Sequence, residues 1–122
     1  MITIGTIRGA VLAFLLTCPL LTYGTSKHKP IKTGIASWYG DESGNHTANG
    51  ERFNPRALTA ACWHLPFNTL VRVTNLRTKK SVVVRVNDRG PAKRLHRLID
   101  LSAAAARRIG IKGIDKVRLE II

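Results

Sequence analysis

The clearest pattern of apolar and polar positions lies in the middle of the chain. Leu70-Val71-Arg72-Val73-Thr74 alternates with a period of two, Asn75 to Lys80 is polar, and Ser81-Val82-Val83-Val84-Arg85-Val86 returns apolar and β-branched. Successive side chains on a strand face opposite sides, so this pattern predicts a hairpin. Gly34 to Tyr39 reads as a first strand stopped by Gly40, Leu58 to Ala61 as a short one, and Val117 to Ile122 as a terminal strand inside the sheet. Ile99 and Leu101 precede a helix, Ala103 to Ile109, which Ser102 caps and Gly110 ends. About six short strands and one brief helix predict a mainly β fold. Closure would remove exposed strand edges, so a small barrel or a sandwich fits the pattern.

Three features of that pattern bear on chemistry. Trp38 and Tyr39 are adjacent on a strand and point to opposite faces, which predicts one core member and one that lines a groove. Asp41 to Arg56 is a long polar loop whose ordering needs a task, a candidate binding wall that carries His46, Asn49 and Glu51. The strand Val82 to Val86 runs into Asn87-Asp88-Arg89-Gly90-Pro91 and delivers one carboxylate, Asp88, to the end of a rigid element. Asp88 is either a turn residue paired with arginine or an acid/base group on a scaffold. To start protonated it needs burial, or Arg85 and Arg89 must point away.

The remaining candidates have blander readings. Glu51 either orders its own loop or touches the ligand. His46 and His96 read as solvated, Trp63 as core, and Cys62 as a small buried apolar group. Asp100 is expected to brace the helix start or pair with an arginine.

Composition narrows the class. With 122 residues there is room for one small domain, and 20 basic against 7 acidic residues give a net charge of +13. Such a field suits an acidic polymer, an anionic membrane surface or nucleic acid. No nucleic-acid-binding signature is present, so no specific nucleic-acid partner is expected. Residues 1–24 read as an export signal, with Arg8 ahead of an apolar run from Ala10 to Leu21 that is short for a bilayer span. A loose lipoprotein box ends at Cys18; simple secretion is the preferred reading, and an uncleaved anchor is a third. Residues 25–33 read as a basic linker and 34–122 as the domain. The protein is expected to be exported to the periplasm or cell envelope, and to be a monomer. With the signal removed, Cys62 has no intramolecular partner. No metal-ligand spacing is visible, and no cofactor is called for.

Seven ordered blocks go further. Gly34-Ile35-Ala36-Ser37-Trp38-Tyr39-Gly40, Thr47-Ala48-Asn49-Gly50-Glu51, Leu58-Thr59-Ala60-Ala61, Leu65-Pro66-Phe67-Asn68-Thr69, Val73-Thr74-Asn75-Leu76, Val84 to Pro91 and Ile99-Asp100-Leu101-Ser102 closely resemble the bacterial rare lipoprotein A family. The resemblance implies a six-stranded double-psi β-barrel, related to that of expansins, in a septal lytic transglycosylase that cuts peptidoglycan glycan strands to 1,6-anhydromuramoyl products. It places the leading catalytic residue at Asp88. The family's second residue is a histidine directly after Thr-Ala-Ala, and that position here is Cys62. His64, two residues on, lies on the same face of an extended segment at roughly 7 Å displacement. The resulting expectation is Asp88 and His64 as catalytic residues, with Glu51, Tyr39, Trp38, His46, Asn49 and Arg89 contacting the glycan. The alternative is an expansin-like barrel that binds or loosens wall without cutting it.

Overall fold

A computed structural model describes residues 29–40 and 46–122. The expected signal segment and the first part of the expected linker lie outside the described residues. Six strands, β1 (Lys29–Tyr39), β2 (Thr59–Ala61), β3 (Leu70–Asn75), β4 (Ser81–Asp88), β5 (Ile99–Ser102) and β6 (Asp115–Ile121), close into a barrel in the order β1-β5-β2-β4-β3-β6. The expected mainly β, closed six-stranded architecture with one short helix is the one found. That helix, α1 (Ala103–Arg108), starts where the Ser102 hydroxyl accepts the Ala105 N–H at 3.2 Å.

The β3–β4 hairpin forms as its alternation requires, in antiparallel register from Leu70↔Arg85 to Thr74↔Ser81. Its inward positions Val71, Val73, Val82, Val84 and Val86 join Ala36, Ile99, Leu101, Ile109, Val117 and Leu119 in one dry core. β6 lies between β1 and β3, so the terminal strand does sit within the sheet. β1 begins at Lys29 and pairs with β6 from Lys29↔Ile121 onward, so part of the stretch read as linker is strand.

Two expectations about aromatic residues are corrected. Neither Trp38 nor Tyr39 enters the core. The β1 residue that does is Ala36, beside Ile99. Trp38 is 41% exposed and donates its indole N–H to the Lys112 carbonyl at 2.9 Å. Trp63 is likewise 41% exposed, tethered by its N–H to the Pro91 carbonyl. In both cases the indole nitrogen needs an acceptor, which a barrel interior filled with aliphatic side chains does not offer.

The register of β2 against β4 carries the main consequence for the site. Ala60 pairs with Val86, but Ala61 pairs with Asp88, so Asn87 is an extra residue in β4. This is a β-bulge, and it reverses the facing of everything after it. Val86 points inward; without the bulge Asp88 would follow it into the core. With the bulge, Asp88 turns to the outer face, and Gly90 at φ 149°, a conformation side-chain-bearing residues avoid, closes the turn.

Candidate active site

The paired positions form a row across four strands. Ser37 on β1 is level with Asp100 on β5, Asp100 with Ala61 on β2, and Ala61 with Asp88 on β4. Directly paired residues share a face, so Asp100 and Asp88 both look outward, separated by the small Ala61. The neighbours Ala36, Ile99, Leu101 and Ala60 take the core face. A row of two carboxylates flanking an alanine methyl is a shallow floor on which an extended chain can lie.

Each carboxylate has a defined set of partners. Asp88 Oδ1 accepts the backbone N–H of Ala48 and that of Arg89, both at 2.8 Å. Its other oxygen, Oδ2, receives a long 3.5 Å contact from the Tyr39 hydroxyl. With Oδ1 occupied by two donors, Oδ2 is the oxygen with acceptor capacity left for a ligand. Asp100 Oδ1 accepts the Ser37 hydroxyl at 2.9 Å. Burial raises the Asp100 carboxyl above its ordinary value; the Ser37 hydrogen bond and Arg97 oppose this, and the nearby Asp88 charge adds to it. Tyr39 is pushed up further, by burial first and then by Asp88 and Asp100, so it stays a neutral donor. Its ring stacks on Phe53 with centroids 4.8 Å apart, which brings the long loop over the row.

The arginines beside Asp88 do point away. Arg85 makes a two-pronged pair with Glu51, at 2.9 Å on each prong. Arg89 donates to the carbonyls of Cys62 and Leu65 and lies 3.9 Å over the Phe67 ring. Neither guanidinium neutralises Asp88.

Glu51 sits in a different environment. Besides Arg85 it accepts from Asn87 Nδ2 at 3.0 Å, and hydrogen bonds from Arg85 and then Asn87 hold its carboxyl down at about 2. It remains an anion bound to the bulge residue and the strand beneath, which clamps the loop. Asn49 does related work: its side-chain oxygen accepts from the Thr47 hydroxyl and the Glu51 N–H, and its own N–H bonds to Asn87 O. Together these hold Ala48 N–H on Asp88. His46 is exposed and pairs through backbone with Arg52.

His64 is not brought to Asp88. β2 ends at Ala61 and the chain bends over 63–65, so the extended geometry that put residues 62 and 64 on one face is absent. His64 instead lines a separate cavity with His96 and Arg97. Cys62 behaves as expected of a small buried group: 1% exposed, its thiol is directed at the Leu98 carbonyl, 3.9 Å away. Asp100 braces no helix, since Ser102 does that, and it makes no ion pair among the described residues. Sequence reasoning missed its role. The missing signal was register, which alone reveals that residues 88 and 100 are level. The Ala48 N–H was missed for a similar reason, because a backbone donor has no side-chain signature.

Comparison with known proteins agrees with this architecture. Residues 31–121 match the family model described as lytic transglycolase. A probable endolytic peptidoglycan transglycosylase RlpA from Synechocystis is 62% identical over 97 residues, covering 77% of this chain and 30% of that protein. The Campylobacter jejuni endolytic peptidoglycan transglycosylase RlpA is 53% identical over 92 residues, covering 73% of this chain and 33% of its own length. The chain thus spans about a third of these curated relatives. Among solved structures, a Streptomyces papain inhibitor superposes with a TM-score of 0.61 over 77% of this chain and 94% of its own, at 20% identity, a likeness of fold. On the match across residues 31–121, the chain belongs to the lytic transglycolase family of double-psi β-barrels.

Proposed function

We propose that this domain is an exported endolytic transglycosylase that cleaves peptidoglycan glycan strands, with Asp88 as its acid/base. The observation that carries the reading is the outward row of Asp88, Ala61 and Asp100, two carboxylates that make no ion pair among the described residues of a chain of net charge +13. Burial, and to a smaller degree the Asp88 charge, favour the protonated form of Asp100. Tyr39, acted on by both charges, is a neutral donor in contact with Asp88 Oδ2.

The reaction then needs no water. Asp88 Oδ2 protonates the oxygen leaving the muramoyl anomeric carbon, and the glycosidic C–O bond breaks. The same carboxylate next takes the proton of the muramoyl 6-hydroxyl, whose oxygen bonds to the anomeric carbon and gives the 1,6-anhydro end. One carboxyl serves as acid and then as base. Glu51, fixed as an anion on Arg85, takes no part in proton transfer; it and Asn49 act by holding the loop. Arg89, braced against the 62–67 turn, shapes the floor, while Tyr39, Trp38 and His46 are the side chains near the row or on the outer surface that are left to meet sugar. His64, in its separate cavity, has no part in the chemical step. Substrate outside the inner membrane goes with export, and the surplus positive charge with attraction to acidic wall polymer or membrane surface. A monomer suffices for all of this, because both carboxylates come from one barrel.

One observation favours a second reading, a wall-binding barrel that does not cut. The position of the family's histidine holds a thiol turned into the core, so it offers no proton to the groove. Mass spectrometry of the soluble products from purified sacculi separates the two. Anhydromuramoyl products from the native protein and none from Asp88→Asn establish cleavage. Sacculi bound by both proteins with no products from either sinks the enzyme and leaves the binding barrel.

A further inference from the structure

A cavity of about 470 Å³ opens beside the β1 end of the carboxylate row. Its floor is Thr33 to Ile35 of β1 with Leu98, and Ile35 stands two residues before Ser37 on the same strand. Two residues along a strand is about 7 Å, so the cavity continues the outer face that carries Asp100 and Asp88. Gly34 lets Leu98 pack closely against this part of β1: a Cβ there would lie 3.0 Å from Leu98 Cβ.

The charge of this cavity is opposite to that of the row. Lys32, His64, Lys93, His96 and Arg97 line it, and no acidic side chain does among the described residues. One wall is the exposed Trp63 ring, fixed by its hydrogen bond to Pro91 and overlain by Lys93 Nζ at 4.7 Å. A 3-10 turn, Lys93–Leu95, followed by His96 in a left-handed conformation at φ 53°, presents the basic groups inward. The barrel core uses none of these side chains.

We infer that this cavity is an anion subsite that takes a carboxylate carried on the muramoyl side arm of the glycan. The inference rests on the proposed action on peptidoglycan glycan. A glycan backbone of N-acetylated sugars is neutral, so the anionic groups on such a strand are the carboxylates of its lactyl arms or of the peptides attached to them. A strand lying across Asp88 and Asp100 carries its side arms along the same face, within reach of three cationic side chains, Lys32, Lys93 and Arg97, two histidines and one aromatic wall. Charge attraction also gives the strand a polarity on the enzyme, because the cavity draws the side-arm carboxylates and the carboxyl row does not. The position His64 occupies, inexplicable as catalysis, is accounted for by this role.

The test uses the Asp88→Asn background, in which ligand binding is read by calorimetry without turnover. The probes are a peptide-bearing glycan fragment, the same fragment stripped by amidase to its lactyl carboxylate, and a neutral chitohexaose. The variant is Lys93→Gln with His96→Asn, chosen because both residues are exposed and asparagine tolerates the left-handed backbone. Binding of a carboxylate-bearing fragment is expected to weaken roughly ten-fold and lose part of its salt dependence, with chitohexaose unaffected. Loss confined to the peptide-bearing fragment assigns the subsite to a peptide carboxylate, loss confined to the stripped fragment to the lactyl carboxylate that the amide bond otherwise masks, and loss with both to a subsite that takes either carboxylate. Equal weakening for chitohexaose, or none for either charged fragment, overturns the subsite and leaves the enzyme reading intact. Failure of the starting protein to bind all three ligands overturns both.

Discussion

At the β3 end of the hairpin, Asp115 is gripped by Arg77 at 2.9 Å and by buried Asn75, whose amide also bonds to the Ile109 carbonyl. At the other end of β4, Asp88 and Asp100 are held by backbone N–H groups, a serine and a tyrosine, with no ion pair among the described residues. Of five acidic residues described, the other three, Glu51, Asp115 and Glu120, each pair with an arginine. In so basic a chain, a cation is the easiest partner for a carboxylate to find. Where it is withheld, the carboxyl is held by neutral donors and faces outward; where it is supplied, as at Asp115 and Glu51, the carboxyl fastens a turn or a loop. Arg77 lowers Asp115, whereas burial raises Asp100.

The comparison breaks most sharply at Asp88. Asp88→Asn keeps the Oδ1 acceptor for Ala48 and Arg89 and removes only the exchangeable proton, so product formation should fall by about 10²–10⁴-fold with the thermal midpoint unchanged. Asn75→Ala should do the reverse. It leaves the Arg77 N–H without its side-chain acceptor, takes one donor from Asp115 and leaves the Ile109 carbonyl to Thr78 alone, at about 2–3 kcal/mol, which lowers the midpoint by roughly 10–20 °C while specific activity of the folded fraction stays.

Asp100→Asn sharpens the contrast through its sign. A raised carboxyl pKa means that ionisation costs the folded state, so that stability is full below the ordinary 3.8 and is lost as pH rises through the raised value. The variant should therefore lose activity, about ten-fold or more, yet melt higher than the native protein near neutrality, with the difference closing below pH 3.8. A variant that melts lower at every pH would make Asp100 an ordinary structural residue. Glu51→Gln should show the smallest effect and the opposite sign. The stabilising contribution of native Glu51 is present above its ordinary 4.5 and lost as pH falls toward about 2, a dependence the variant lacks. Activity should fall less than about five-fold, through a looser Ala48 loop.

How far the sequence discloses all this varies by level. The strands were legible because alternation at Val71, Val73, Val82 and Val84 answers directly to burial. The helix was legible because serine before an alanine run has one obvious use. The Trp38-Tyr39 pair, read as supplying one core residue, and Trp63, read as core, were misread because size suggests burial, while an indole N–H in an aliphatic barrel must reach outward for a carbonyl. Asp88 stood out from its turn chemistry and its family block. Asp100 did not, since its meaning depends on which residue of β2 it faces. His64 was placed by assuming extension beyond Ala61, and a strand three residues long gave no warning of where it stops.

The extra residue in β4 has a consequence for how such chains are compared. Val82, Val84 and Val86 answer to packing, and Asp88, beyond Asn87, faces outward, so exposure of the aspartate is a matter of phase. A chain that kept every valine, the aspartate and the Gly-Pro turn but lacked one residue between Val86 and Asp88 would retain nearly all the recognisable letters. Its aspartate would face the core, and the barrel would have either no site or no fold. Counting residues from the last core valine to the aspartate is thus a stricter criterion of competence in these barrels than finding the aspartate itself.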